Sequence, residues 1–114
     1  MYLAHQTVHV PLDEAREGGE PECSGVTDHW RHGYCSMLVE LDNSLADLVS
    51  LLKDLDYWSN TYILTTTDNG GMTDWRQDDS GKPNFPASMG SNFPLRSGKT
   101  SLFEGGVRGM AFLS

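Results

Sequence analysis

The sequence predicts an α/β fold, and two neighbouring segments carry that expectation. Between His29 and Asp56, apolar residues recur at three- and four-residue steps, the spacing of one face of a helix. Directly afterwards, Thr61-Tyr62-Ile63-Leu64-Thr65-Thr66-Thr67 is a β-branched and aromatic run of strand length that stops at Asp68-Asn69-Gly70-Gly71. A helix handed on to a strand points to an α/β layer.

Taken from the start, Met1-Tyr2-Leu3-Ala4 followed by His5-Gln6-Thr7-Val8-His9-Val10-Pro11-Leu12 reads as the end of a strand running into a loop. Pro11 biases Val10 toward extended geometry and removes a ladder donor. From Asp13 to Asp28 the chain turns acidic and glycine-rich, with Pro21 and no period of 2 or 3.6, which predicts an exposed connection. The helix then presents Tyr34, Met37, Leu38, Leu41, Leu45, Leu48, Val49, Leu52 and Leu55 on one side. Glu40, Asp42, Asn43, Asp47, Ser50, Lys53 and Asp54 fill the other. Thr27 or Asp28 is its expected cap, and the pattern breaks between Asp56 and Asn60. After the strand, the sequence is polar and turn-rich from Met72 through Ser97, the length of a functional or disordered loop. Met110-Ala111-Phe112-Leu113-Ser114 is a second apolar, strand-like piece. Strand-like segments at both ends without an obvious hairpin partner are expected of a piece of a larger sheet.

Composition narrows the function classes. With 114 residues the chain holds at most one domain, and 38% hydrophobic residues with 12 glycines predict a thin core. Sixteen acids against eight scattered bases, a formal charge of −8, exclude a nucleic-acid or anionic-membrane surface, both of which reward clustered Lys and Arg. No apolar run approaches the ~20 residues of a membrane span, and Met1 to Pro11 lacks the pattern of a secretory leader. Cys23 and Cys35 form no CxxC motif and are too few for a disulfide-stapled miniprotein. Cys35, inside the helix, reads as a small buried hydrophobe.

Ligands of an open α/β sheet gather at the carboxyl ends of strands, where Asp68 and Asn69 stand. A carboxylate beside an amide offers two hard oxygens to Ca²⁺ or Mg²⁺, and the glycines that follow let the backbone turn away. Asn-Gly is equally a common turn dipeptide, so the pair reads as a turn or as a metal site. Lys99, in Ser97-Gly98-Lys99-Thr100-Ser101, does not belong to a P-loop, because Phe93 occupies the position where that motif needs glycine. It reads as a turn lysine. His9 is able to donate to an anionic oxygen or to protonate a leaving group, and equally to serve as a surface or capping residue.

In combination these segments are more specific. Tyr2-Leu3-Ala4-His5-Gln6-Thr7-Val8-His9-Val10-Pro11-Leu12, Thr67-Asp68-Asn69-Gly70-Gly71, Gly90-Ser91-Asn92-Phe93-Pro94-Leu95-Arg96-Ser97-Gly98-Lys99 and Ser101-Leu102-Phe103-Glu104-Gly105-Gly106-Val107-Arg108-Gly109 follow one another in an order that resembles the arylsulfatases of the formylglycine-dependent sulfatase family. The likeness is nearest to the arylsulfatase B, I and J group and runs through nearly the whole chain. The acidic Asp13–Asp28 connection and the long Met72–Ser88 stretch depart from it.

The resemblance implies part of an alkaline-phosphatase-like sulfatase sandwich domain, with 1–114 as an incomplete catalytic domain. It implies Ca²⁺ held by Asp68 and Asn69 together with ligands outside this sequence, and sulfate contacts from Lys99 and His9, the latter also helping the leaving group depart. Such residues suit sulfuryl transfer, which spreads negative charge over peripheral oxygens. The family's formylglycine comes from a cysteine in a CxPxR motif, expected upstream. Cys23 is followed by Ser24-Gly25-Val26 and Cys35 by Ser36-Met37-Leu38, so neither matches. The expectation is therefore a sulfuric ester hydrolase piece, inactive alone, whose parent acts on a sulfated glycan or aryl sulfate in a lysosomal or secreted setting. A non-catalytic pseudoenzyme or interaction module on the same scaffold is the alternative, and a phosphate-transferring hydrolase of the same superfamily is a third.

Overall fold

A computed structural model describes residues 1–9, 21–73 and 90–114. Half of the acidic connection and nearly all of the Met72–Ser88 stretch lie outside the described residues. The chain divides into two compact units, Met1–Thr61 and Tyr62–Ser114.

The first unit is built on helix α1, His29–Asp54. Asp28 is extended (φ −74°, ψ 124°) and its carboxylate accepts the Arg31 N–H at 2.9 Å, satisfying one of the donors that a helix start leaves over. At the other end Asp56 adopts a left-handed φ of 59°. The Tyr57 N–H then reaches back to the Leu52 carbonyl at 2.8 Å and the Asp56 N–H to that of Lys53 at 3.0 Å. This is a Schellman closure with Asp in the place glycine usually takes, tolerated because Asp visits the left-handed region more easily than most residues. Gly33, Ser36 and Met37 are buried, and Leu41, Leu45, Leu48, Val49 and Leu52 are half-buried. Tyr34, Leu38 and Leu55 of the predicted stripe are exposed, as is Leu51. The elements packed on α1 are two short 3-10 turns, Pro21–Cys23 and Trp58–Asn60, too small to cover so wide a face. The core is as thin as the composition predicts: Cys23 and Met37 are the buried apolar residues among those described.

Two expectations fail in this unit. Met1–Ala4 forms no strand; these residues are exposed and hydrogen-bond to no strand among the described residues. Cys35 is not a free apolar thiol: it is joined to Cys23 across a Cα–Cα separation of 5.9 Å. The 3-10 turn brings Cys23, fully buried, against the second turn of α1, a juxtaposition that a spacing of 12 residues does not advertise.

The second unit contains β1, Leu64–Thr66, antiparallel to β2, Ala111–Leu113, with Leu64 opposite Leu113 and Thr66 opposite Ala111. Ile63 and Ser114 exchange backbone hydrogen bonds at 3.0 Å, and the Thr67 N–H donates to Met110 at 2.9 Å, so pairing runs one residue past each end of β1. The predicted Thr61–Thr67 strand is shortened at its start because the Thr61 N–H closes the preceding turn on Trp58 at 3.3 Å. A four-residue helix, α2 (Glu104–Val107), precedes β2. Its Gly105-Gly106 centre is poor helix material, and the turn is secured by the Phe103 carbonyl, which accepts from Gly106 at 2.8 Å and Val107 at 3.2 Å. Helix and small sheet agree with the α/β expectation. No helix among the described residues is long and apolar enough to cross a membrane.

Candidate functional site

Leaving β1, the chain bends at Asp68 and Asn69. Asp68 is exposed, and its carboxylate has no hydrogen-bond or ion-pair partner among the described residues. Asn69 is half-buried and its Nδ2 donates to the neighbouring Gly70 carbonyl at 2.8 Å, which commits the nitrogen locally and leaves Oδ1 as the acceptor. Two hard oxygens therefore stand on consecutive residues, and they fit a Ca²⁺-type cation in kind. No group of three or more His, Cys, Asp or Glu able to hold a metal occurs among the described residues. The pair thus supplies two of the six to eight oxygens that such an ion takes.

The turn is held by main chain. The Gly70 N–H donates to Gly106 at 3.0 Å, and the Lys99 N–H donates to Gly71 at 2.9 Å. The Asn92 side-chain amide reaches the carbonyls of Gly71 at 2.9 Å, Ser97 at 3.1 Å and Gly105 at 2.8 Å. Three segments converge: the Asp68–Gly71 turn, the Ser97–Thr100 turn and the start of α2. Their backbones approach so closely that a Cβ on Gly70 would meet the Gly105 carbonyl and one on Gly105 the Ser97 carbonyl. A Cβ on Gly98 would lie 2.7 Å from the Gly71 oxygen. Glycine is required there for space. Ser97 and Thr100, on either side of Gly98-Lys99, have positive φ values of 64° and 78°. A β-branched residue in that region is an outlier, and backbone strain of this kind gathers at functional segments. The Arg96 guanidinium lies 4.0 Å over the Phe103 ring, tying the lysine turn to the residue just before α2.

Of the residues singled out by sequence, Asp68, Asn69 and Lys99 are brought together in the second unit. Lys99 is half-buried in a turn, with no helix following it directly. His9 belongs to the first unit, where it is exposed. Asn92 and the Gly105-Gly106 pair emerge as members of the same constellation. Both lie in segments that carry the family resemblance, yet an Asn before Phe-Pro and a Gly-Gly pair read locally as loop.

Comparison with known proteins adds the decisive observation: the Sulfatase family model matches residues 2–113. The chain belongs to the sulfatase family. It is 32% identical over 113 residues to arylsulfatase J of Mus musculus, covering 99% of this chain and 17% of that protein. It is 32% identical over 108 residues to N-acetylgalactosamine-6-sulfatase of Canis lupus familiaris, covering 95% of this chain and 18% of that protein. This sulfatase chain therefore spans less than a fifth of the length of these curated relatives. The crystal structure of Ps i-CgsB superposes with a TM-score of 0.74 at 29% identity, over 98% of this chain and 22% of that one. Its complex with k-i-k-neocarrahexaose gives 0.70 at 28% identity, over 94% of this chain and 21% of that one. The fold is the matching portion of the alkaline-phosphatase-like α/β sulfatase fold, and the family is one of sulfuric ester hydrolases.

Proposed function

We propose that this chain forms one wall of a sulfate-ester-hydrolysing site, with Asp68 and Asn69 as Ca²⁺ ligands and Lys99 and His9 as contacts to the sulfate. The observation that carries the reading is the 2.9 Å hydrogen bond from the Lys99 N–H to Gly71, which ties the lysine turn to the Asp-Asn-Gly-Gly turn. Lys99 brings a positive charge to sulfate oxygens that gain negative charge as the ester bond breaks. His9, in its protonated form, gives the departing oxygen a proton. A bound Ca²⁺ would supply charge stabilisation at the same oxygens.

The nucleophile is absent from the reading of this chain. Cys23 and Cys35 are consumed in a disulfide and lie outside any CxPxR sequence, so neither offers a thiol for conversion to formylglycine. The chain is accordingly inactive by itself and contributes part of a larger site. The names N-acetylgalactosamine-6-sulfatase and arylsulfatase J support a sulfated sugar or aryl sulfate as substrate class. The disulfide supports an oxidising compartment, lysosomal or secreted.

Calorimetric titration of the 114-residue chain with Ca²⁺ tests the metal assignment. A weak affinity, at or above about 10⁻⁴ M for so few ligands, abolished by Asp68→Ala, is the expected result. No binding at any millimolar concentration would overturn the assignment, and micromolar affinity would contradict a two-ligand site. Hydrolysis of a generic aryl sulfate above buffer, lost in Asp68→Ala, would refute the claim of inactivity.

A second reading, a non-catalytic module on the sulfatase scaffold, draws on the same disulfide, which leaves no free cysteine in the chain. A transcript joining this coding sequence to an upstream CxPxR motif decides for the first reading. A transcript without it decides for the second.

A further inference from the structure

We infer that Asn92 is a positioning residue of this site, its side-chain amide fixing how the Asp68–Asn69 turn stands to the Lys99 turn. The inference rests on reading those turns as one site. Asn92 is half-buried, and its Nδ2 faces three carbonyl oxygens: Gly71 at 2.9 Å, Ser97 at 3.1 Å and Gly105 at 2.8 Å. These belong to the Asp-Asn-Gly-Gly turn, the turn leading into Lys99, and the first residues of α2. An amide nitrogen carries two protons, so three acceptors around it require one shared bond, and they also settle which end of the amide is nitrogen.

The geometry makes the donor hard to replace. The Gly71 carbonyl already accepts the Lys99 N–H at 2.9 Å, and Asn92 completes it with a second bond. On the other side of the amide, Oδ1 lies 2.7 Å from where a Cβ on Gly71 would sit, so the side chain is seated directly over that backbone. Asn92 thus holds in one place the oxygen that links the two turns. Its amide donates to main-chain oxygens, so its effect passes through Gly71 to Asn69 and Lys99.

Asn92→Asp separates this role from simple filling of space. The two side chains have nearly the same shape, but a carboxylate accepts where three carbonyls demand a donor. Amide hydrogen exchange followed by NMR on the whole 114-residue chain gives the readout. The Lys99 and Gly70 amides are expected to lose at least about tenfold of their protection in Asn92→Asp and in Asn92→Ala, while Thr67, in the β1–β2 ladder, stays within about threefold. Asn92→Ser, which keeps one donor, should fall between wild type and Ala. The Ca²⁺ titration of each variant should show about tenfold weaker binding than wild type. Normal Lys99 protection in Asn92→Asp would overturn the inference, as would equal loss at Thr67 in all three variants, since Asn92 would then serve general stability. A wild-type chain that binds no Ca²⁺ would overturn the site reading and the positioning role with it, a failure distinguished by exchange that still separates Lys99 from Thr67.

Discussion

The backbone N–H of Lys99 donates to the carbonyl of Gly71 at 2.9 Å, so two turns far apart in sequence meet through main chain while the Lys99 side chain takes no part in that bond. Replacing the side chain leaves that backbone donor in place. Lys99→Ala is expected to keep the exchange protection of the residue 99 amide within about threefold and to abolish sulfate-induced NMR shifts of the residue 98–100 amides. Retention of those shifts would show that Lys99 does not contact the anion.

The crossing of the three turns predicts a sharp contrast between glycines. Gly70→Ala drives a Cβ into the Gly105 carbonyl, and backbone has little room to yield, so the expected loss is about 2 kcal/mol or more. At Gly25 no described residue lies within 4 Å of where a Cβ would sit, and Gly25→Ala should be neutral to about 0.5 kcal/mol. Urea denaturation of the two variants side by side checks the pair. Equal effects would mean the turns do not approach as closely as described.

Opening the Cys23–Cys35 bond, which spans 12 residues, should cost the first unit about 3 kcal/mol by the entropy of loop closure. The Cys23→Ala/Cys35→Ala double variant, compared with wild type by the urea midpoint of helix circular dichroism, measures this. Mass spectrometry of the alkylated, unreduced protein should find no modified cysteine. Alkylation at both positions would refute the pairing.

Asp28 caps α1 through one bond, 2.9 Å from its carboxylate to the Arg31 N–H. Asp28→Ala is expected to destabilise the helix by about 1 kcal/mol, and Asp28→Asn, which keeps an acceptor oxygen, by a few tenths. Thermal melts followed at 222 nm distinguish them. An alanine variant as stable as the asparagine one would place the cap elsewhere.

Features that depend on neighbours in sequence were legible before the fold. The period of α1 and its cap at Asp28 follow from side chains within a few residues of each other, as does the β-branched run that becomes β1. Asp68, Asn69 and Lys99 were legible as candidates because turn chemistry and the resemblance coincide on them. Asn92 was not, since nothing around it distinguishes a residue that ends a loop from one whose amide bridges three remote carbonyls.

The sequence by itself determined the α/β class, the helix with its boundaries, the acidic and non-basic surface, and the order of motifs that marks a sulfatase. Local spacing and residue type carry all of these. Only the tertiary structure decided that β1 pairs with β2, whose adjoining residues Thr67 and Met110 lie 43 positions apart. It alone also joined Cys23 to Cys35, left Met1–Ala4 outside any strand among the described residues, and brought Gly70, Gly98 and Gly105 together without room for a methyl group. Such contacts form when distant segments close on one another, and closure depends on the whole chain's packing, which no local pattern encodes.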